Sequence, residues 1–370
     1  MIIDKKRESV KYDPVRYPNE RKLDIVMQRK MTTYLHRSLP MCIILSNDNY
    51  KGWYYTNFVQ IMSNTLDNGD VELNYITPRD GYQDIAENIC LGYPNIHYDG
   101  EFVEYVIDCI NRGYYVIAHL DEFYIPDKEA YEETHFVHAS LVYGYNIEKR
   151  ELYGIGFDED MTFGEIIFDF DIFNMAYEEG RRNYMPDAFW CEWSAVQLIK
   201  PKSPHVMFRF DLKRFTDELE EYMTSKRDDY KLYSFDYPMD RMKCGVSVYD
   251  LLKEKLQEMK TGIMHIDYRA IHLFAEHKKG LLERFEYIKE LYDVPNSYED
   301  HLKEYAKLVE RTDKFRVACM TEYMMLEEAW KVTEENIKFV DHAIEEIRNL
   351  IASERGILNE IMKDLRGLNC

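Results

Sequence analysis

His135-Phe-Val-His138-Ala-Ser-Leu-Val-Tyr-Gly-Tyr145 runs through Glu148, Lys149 and Arg150 into Glu151-Leu-Tyr-Gly-Ile-Gly-Phe-Asp158. Two aromatic and β-branched runs separated by a short charged turn read as an antiparallel hairpin. His138 opens the first strand, and Asp158 closes the second about 20 residues later, so the hairpin sets imidazole and carboxylate side by side. That is the base and orienting acid of a Cys-His-Asp site. Gly144, between them, makes the pattern more specific than a histidine at a strand start.

Outward from this hairpin the same type of signal continues. Short runs predict strands over 41–45, 71–76, 114–120, 139–145, 151–157, 164–168 and 188–199, with helices over 53–63, 102–112 and 172–179. Beyond about residue 210 the apolar spacing changes to that of helices, over 212–226, 246–260, 266–291, 298–325 and 328–365. The sequence therefore predicts an α+β fold: a basic segment over 1–40, a mixed helix and antiparallel-sheet domain over 41–209, and a helical domain over 210–370. Ile337, Val340, Ile344, Ile347 and Ile351 give the last helix an apolar stripe, suited to a bundle or to contact between copies of the chain.

The 370 residues carry 46% hydrophobic and 14% aromatic side chains, enough for a large core and too many for a disordered chain. The net charge of −21 argues against nucleic acid as the main partner. Residues 41–180 hold 6 basic and 27 acidic side chains, 6 − 27 = −21, equal to the charge of the whole chain. A field of that sign favours an amine-bearing ligand. The 1–40 segment, with Lys5, Lys6, Arg7, Arg21, Lys22, Arg29 and Lys30, carries 10 basic against 5 acidic residues and would suit an acidic partner. No signal core and no membrane span is read, so the chain is expected to be cytoplasmic. Its 7 cysteines are scattered without a CxxC pair and suggest neither a disulfide framework nor a zinc site.

The run from His138 to Gly144 with Asp158 resembles the histidine and aspartate strands of papain-like cysteine enzymes of the double-glycine peptidase type. It is more closely similar to the N-terminal domain of the butirosin biosynthesis protein H family, found with nonribosomal peptide gene clusters. Leu120-Asp-Glu-Phe-Tyr-Ile-Pro126, Asp267-Tyr-Arg269 and Glu276-His-Lys278 agree with that likeness, which spans about 40–290. The resemblance implies a papain-like domain with His138 as general base and Asp158 as orienting acid.

The nucleophile does not carry over. The family's cysteine begins a helix, where the helix terminus and the histidine lower its pKa. The corresponding stretch, Ser46-Asn-Asp-Asn-Tyr-Lys-Gly-Trp-Tyr-Tyr-Thr-Asn57, contains no cysteine. Ser46 and Tyr50 are the hydroxyls of that stretch that could replace the thiol if a base lay within hydrogen-bond reach, Trp53 would line or fill the pocket, and Cys42 is a poor substitute inside an expected strand. Chemistry without a covalent intermediate is then the leading expectation: His138 deprotonates an amine, which attacks an acyl or peptidyl carrier-protein thioester directly. A scaffold that has lost catalysis and binds a ligand or partner is the alternative. No cofactor is expected. His272, Glu276 and His277 could face a metal on one helix, yet a solvated or salt-bridged face is the better reading; His265 and Asp267 would open that helix.

Overall fold

The computed structural model describes residues 17–65, 71–76, 82–188, 190–202, 207–228, 241–262, 268–326 and 332–368. Lys5, Lys6, Arg7, His265 and Asp267 lie outside the described residues. In chain order the elements begin with β1 (Glu20–Lys22), α1 (Leu35–Ile44), α2 (Lys51–Thr56), β2 (Ile61–Thr65), β3 (Val71–Tyr75), β4 (Ala86–Leu91) and α3 (Phe102–Asn111). There follow β5 (Tyr115–Asp121), β6 (Val137–Asn146), β7 (Glu151–Phe157), β8 (Phe163–Asp169), α4 (Phe170–Glu179), α5 (Cys191–Ser194) and β9 (Val196–Pro201). The helical part comprises α6 (Leu212–Thr224), the short β10 (Lys243–Cys244), α7 (Val248–Met259), α8 (Tyr268–Leu291), α9 (Asn296–Leu326) and α10 (Glu334–Arg366). The protein is thus mixed α+β with antiparallel sheets and a helical C-terminal region.

These elements form two units, residues 1–50 with 82–206 and residues 51–81 with 207–370. The boundary near 207 falls close to the change in periodicity, but 1–50 belongs with the large sheet and 51–81 with the helices. The reason for the second assignment is local. Gly52 lies in α2 where a Cβ would meet the Phe208 carbonyl oxygen at 2.0 Å and the Phe210 nitrogen at 2.7 Å. Only glycine lets that main chain cross the helix so closely.

In the first unit the sheet runs β4-β9-β5-β6-β7-β8, and β1 adds to β6. The predicted hairpin is β6–β7, with Leu141 opposite Ile155 and Asn146 opposite Glu151. The register shifts between Val142 and Gly144. Gly144 has a packing reason: a Cβ there would lie 2.6 Å from the Arg21 carbonyl oxygen of β1. Under one face, α3 and α4 bury Phe102, Val106, Ile110, Phe173 and Tyr177 against Val116, Leu120, Val142 and Leu198. Phe102 and Tyr177 stack 3.4 Å apart, and each such ring contributes about 1.5–3 kcal/mol by burial.

Three sequence expectations change here. Residues 41–45, read as a strand, close α1, in which all positions from Ser38 to Ile44 are buried. An apolar run buried on every side has no alternation to separate helix from strand. The predicted helix over 53–63 stops at Thr56 and gives way to β2 after Phe58, whose φ is 61°. The predicted strand over 188–199 is a helical turn, α5, followed by β9.

The second unit carries the sheet β10-β2-β3 and the long helices. Its central helix α8 buries Glu276, His277 and Lys278 in succession, and the half-buried His272 Nε2 lies 4.0 Å from Glu276 Oε2. Of the trio His272, Glu276 and His277, the first two thus form the expected ion-pair contact of one helix face, while Glu276 and His277 turn inward rather than to solvent. Tyr75 Oη donates to Glu276 Oε1 at 3.3 Å, and His277 Nε2 donates to the Val59 carbonyl at 2.8 Å. Lys278 Nζ meets Glu354 Oε2 at 2.9 Å, Tyr222 Oη at 2.5 Å and Tyr249 Oη at 2.7 Å, while Tyr305 Oη donates to Glu354 Oε1 at 3.0 Å. The buried ammonium and carboxylate are tolerable because the three Lys278 protons have partners in Glu354, Tyr222 and Tyr249 and both Glu354 oxygens accept hydrogen bonds. Burial and the Lys278 charge hold His277 well below the usual histidine pKa, so it stays neutral. Among the described residues no group of three or more His, Cys, Asp or Glu side chains is placed to hold a metal, and no helix is long and apolar enough to cross a membrane.

Candidate functional site

His138 is the second residue of β6, opposite Leu120 near the end of β5. One residue beyond that strand, Glu122 begins a short turn, and its N–H donates to the Phe136 carbonyl at 2.9 Å. This backbone bond fixes the end of β5 against the start of β6 and brings the two side chains together. His138 Nδ1 lies 3.1 Å from Glu122 Oε1. An ionised carboxylate can only accept, so Nδ1 carries the proton, and in the neutral ring Nε2 keeps its lone pair. The His138 side chain is 25% exposed, and no hydrogen bond from Nε2 to the protein is found among the described residues. Phe136 lies against the ring at 4.9 Å, and Phe157 is parallel to it at 6.3 Å.

Glu122 is held in turn from behind. Lys128 Nζ reaches the same Oε1 atom at 3.0 Å, with the Lys128 side chain 1% exposed, and donates to the Phe157 carbonyl at 2.5 Å. Burial alone would raise the Glu122 carboxyl, but the hydrogen bond from His138 and the Lys128 charge outweigh it and bring the group below its ordinary value. Gly156 makes room for this arrangement: a Cβ there would lie 3.1 Å from Ser140 Oγ and 3.2 Å from Lys128 Nζ. Ser140 Oγ is buried beside it and makes no hydrogen bond among the described residues. The result is a chain Lys128–Glu122–His138 that keeps one imidazole nitrogen protonated and the other available as a base.

The remaining sequence-derived candidates are placed elsewhere. Asp158 Oδ1 accepts from the Asp160 N–H at 3.0 Å and the Thr162 N–H at 2.8 Å, closing the β7–β8 turn in which Met161 has φ 54°. No hydrogen bond or ion pair joins it to His138; the acid beside that histidine is Glu122. Cys42 is buried in α1, and burial pushes its thiol up to about 11, the reverse of what a nucleophilic thiolate needs. Ser46 Oγ donates to the Ile43 carbonyl at 2.7 Å, satisfying the end of α1. Tyr50 is buried in the 3₁₀ turn Asp48–Tyr50 of the first unit, and Trp53 is buried in α2 of the second. The 46–55 stretch thus straddles the division between the units.

Glu122 and Lys128 were not among the residues singled out for chemistry. The signal for Glu122 was present: two consecutive acids, Asp121 as the last residue of a mainly apolar strand and Glu122 directly after it, stand where burial without partners would be costly. For Lys128 there was none, because a lysine in a loop reads as solvated. Nearby, His119 Nδ1 donates to the Ala195 carbonyl at 3.2 Å. Burial, with a smaller contribution from His138, pushes His119 down to about 4 and keeps it neutral.

No protein-family model matches this chain, and no curated protein matches it.

Proposed function

We propose that the first unit is an acyl- or aminoacyl-transfer catalyst of papain-like ancestry, acting in specialised-metabolite biosynthesis with His138 as general base. The observation that carries the reading is the Lys128–Glu122–His138 chain, which fixes the tautomer of a part-exposed imidazole and leaves Nε2 without a protein partner. Nε2 takes the proton from an amine as the nitrogen attacks a carrier-protein thioester; the C–S bond breaks, and the thiolate collects a proton from water. No thiol is required, which suits a chain whose Cys42 is buried with a raised pKa. The acidity of residues 41–180 favours an amine acceptor.

Incubation with acyl-loaded carrier protein and an amine tests this. His138→Ala should lower the rate of amide formation by a factor on the order of 10²–10⁴, Glu122→Gln should lower it substantially, and Asp158→Asn should leave it nearly unchanged. Product formation indifferent to His138 would remove the reading. A second reading, a binding protein built on the same scaffold, is favoured by one observation: no cysteine, serine or tyrosine side chain is hydrogen-bonded to His138 among the described residues. An amine that binds tightly, is never acylated and is released by Glu122→Gln would support it.

A further inference from the structure

Two consecutive acids at the end of β5 each hold a histidine, and the proposed chemistry uses only one pair. The other is Asp121 with His135. His135 Nδ1 lies 2.7 Å from Asp121 Oδ2, with the aspartate side chain 0% and the imidazole 31% exposed. Asp121 Oδ1 accepts from the Phe123 N–H at 3.2 Å and the Phe136 N–H at 3.1 Å, so the carboxylate is fixed by main chain on one oxygen and by imidazole on the other. Gly180 packs directly on it: a Cβ there would come within 3.2 Å of the Asp121 nitrogen. The His135 ring is clamped between Phe123, 4.2 Å away and tilted 26°, and Tyr184, 4.0 Å away and tilted 16°. Phe123 is itself pinned by a bond from the Glu132 N–H to its carbonyl at 3.0 Å, across a loop in which Asp127 and Glu132 both have positive φ.

The clamp leaves the imidazole one free direction. Nδ1 donates to the buried carboxylate, so in the neutral ring Nε2 bears the lone pair, and it has no hydrogen-bond partner among the described residues. A buried carboxylate that fixes the tautomer and would stabilise the imidazolium once formed is the arrangement of an acid–base residue.

We infer that His135, oriented by Asp121, is a second proton-transfer residue of the first unit, serving a neutral hydroxyl or amine group of a small molecule. The proton passes from the O–H or N–H to Nε2 as the heteroatom's electron pair forms its bond to an acyl carbon of the reacting partner. The bond from that carbon to its leaving group breaks, and the imidazolium, its charge shared with Asp121, returns the proton to the departing group. Neither His138 nor Glu122 takes part, so the inference survives if the assignment of His138 as general base fails.

The test needs no known substrate. In protein labelled with ¹⁵N-histidine, His135 should appear as the Nδ1–H tautomer at pH 8. Diethyl pyrocarbonate, which acylates an unprotonated imidazole nitrogen, should modify His135 at Nε2, read by peptide mass spectrometry. Asp121→Asn keeps an oxygen for the backbone bonds and removes the charge; it should slow His135 modification several-fold and abolish the tautomer preference, whereas His138→Gln should change neither. An Nε2–H tautomer, an unreactive His135, or an unchanged rate in folded Asp121→Asn overturns the inference. If Asp121→Asn does not fold, the tautomer and reactivity of the wild-type chain decide it.

Discussion

Replacing Lys128 by methionine isolates the electrostatic part of the Lys128–Glu122–His138 chain, because methionine supplies similar length and flexibility without charge. At 3.0 Å and an effective dielectric of about 20, the Coulomb attraction between Lys128 and Glu122 is roughly 5 kcal/mol before either group's desolvation is subtracted. Removing one partner of a buried pair costs about 3–5 kcal/mol, since the other charge stays buried. Glu122→Gln removes the carboxylate that makes the unpaired state costly, so the double variant should recover part of the loss, with a coupling of about 2 kcal/mol. The sign of the pH dependence follows from the carboxyl lying below its ordinary value. Its stabilising contribution is present above the unfolded carboxyl pKa and is lost as pH falls through the folded one. In Lys128→Met the folded value moves up, and a protonated Glu122 tolerates the apolar site, so the penalty shrinks on acidification. Hydrogen exchange of the β6 and β7 amides in urea, compared at pH 7.5 and pH 4.5, reads the first unit separately from the helices. Single-variant losses that add to within about 0.5 kcal/mol would show that the pair is not coupled and would refute the reasoning.

His119, pushed down to about 4 from 6.5, makes the first unit acid-sensitive: the unfolded chain takes up a proton below pH 6.5 that the folded chain refuses until about pH 4. Roughly 3 kcal/mol of stability should fade across that window, and His119→Gln should flatten the profile of β5 amide protection between pH 7 and pH 4. Gly156→Ala drives a methyl against Ser140 Oγ and Lys128 Nζ and should destabilise by about 1–3 kcal/mol, visible as faster exchange at β7 with unit two unaffected. The Cys42 thiol, raised to about 11, is one part in about a thousand thiolate at pH 8, so iodoacetamide should leave it unmodified in native protein and alkylate it in urea; rapid native labelling would contradict its burial.

The hairpin through His138 was legible because two short aromatic and β-branched runs, buried along nearly their whole length, are separated by a charged turn. The long helices were legible from their 3.6-residue stripes. Residues 41–45 were not, since α1 is buried on all sides and a helix without a polar face leaves the same apolar run as a buried strand. The assignment of 51–81 to the helical unit was equally invisible, because it depends on main chain at 208–210 crossing Gly52, a contact between segments about 150 residues apart that no local pattern encodes.

The site shows the same limit at the level of single side chains. His138 could be found from its place at the head of a strand, since strand position is a local property. Its acid could not be chosen from spacing, because two carboxylates compete for that role and the choice rests on where their own backbone hydrogen bonds send them. Asp158 has turn amides at hand, Asp160 and Thr162, and spends one oxygen on them. Glu122 sits where the β5–β6 bond pair turns its longer side chain towards the imidazole, with Lys128 arriving from a loop to neutralise it. Asp121, one residue earlier, is tied by main chain in another direction and meets His135 instead. Strand alternation sends neighbouring residues to opposite sides, so two adjacent acids meeting two histidines three residues apart follows from the pleat together with the turn. That makes Asp121→Asn and Glu122→Gln separable perturbations: each should disturb its own histidine and spare the other.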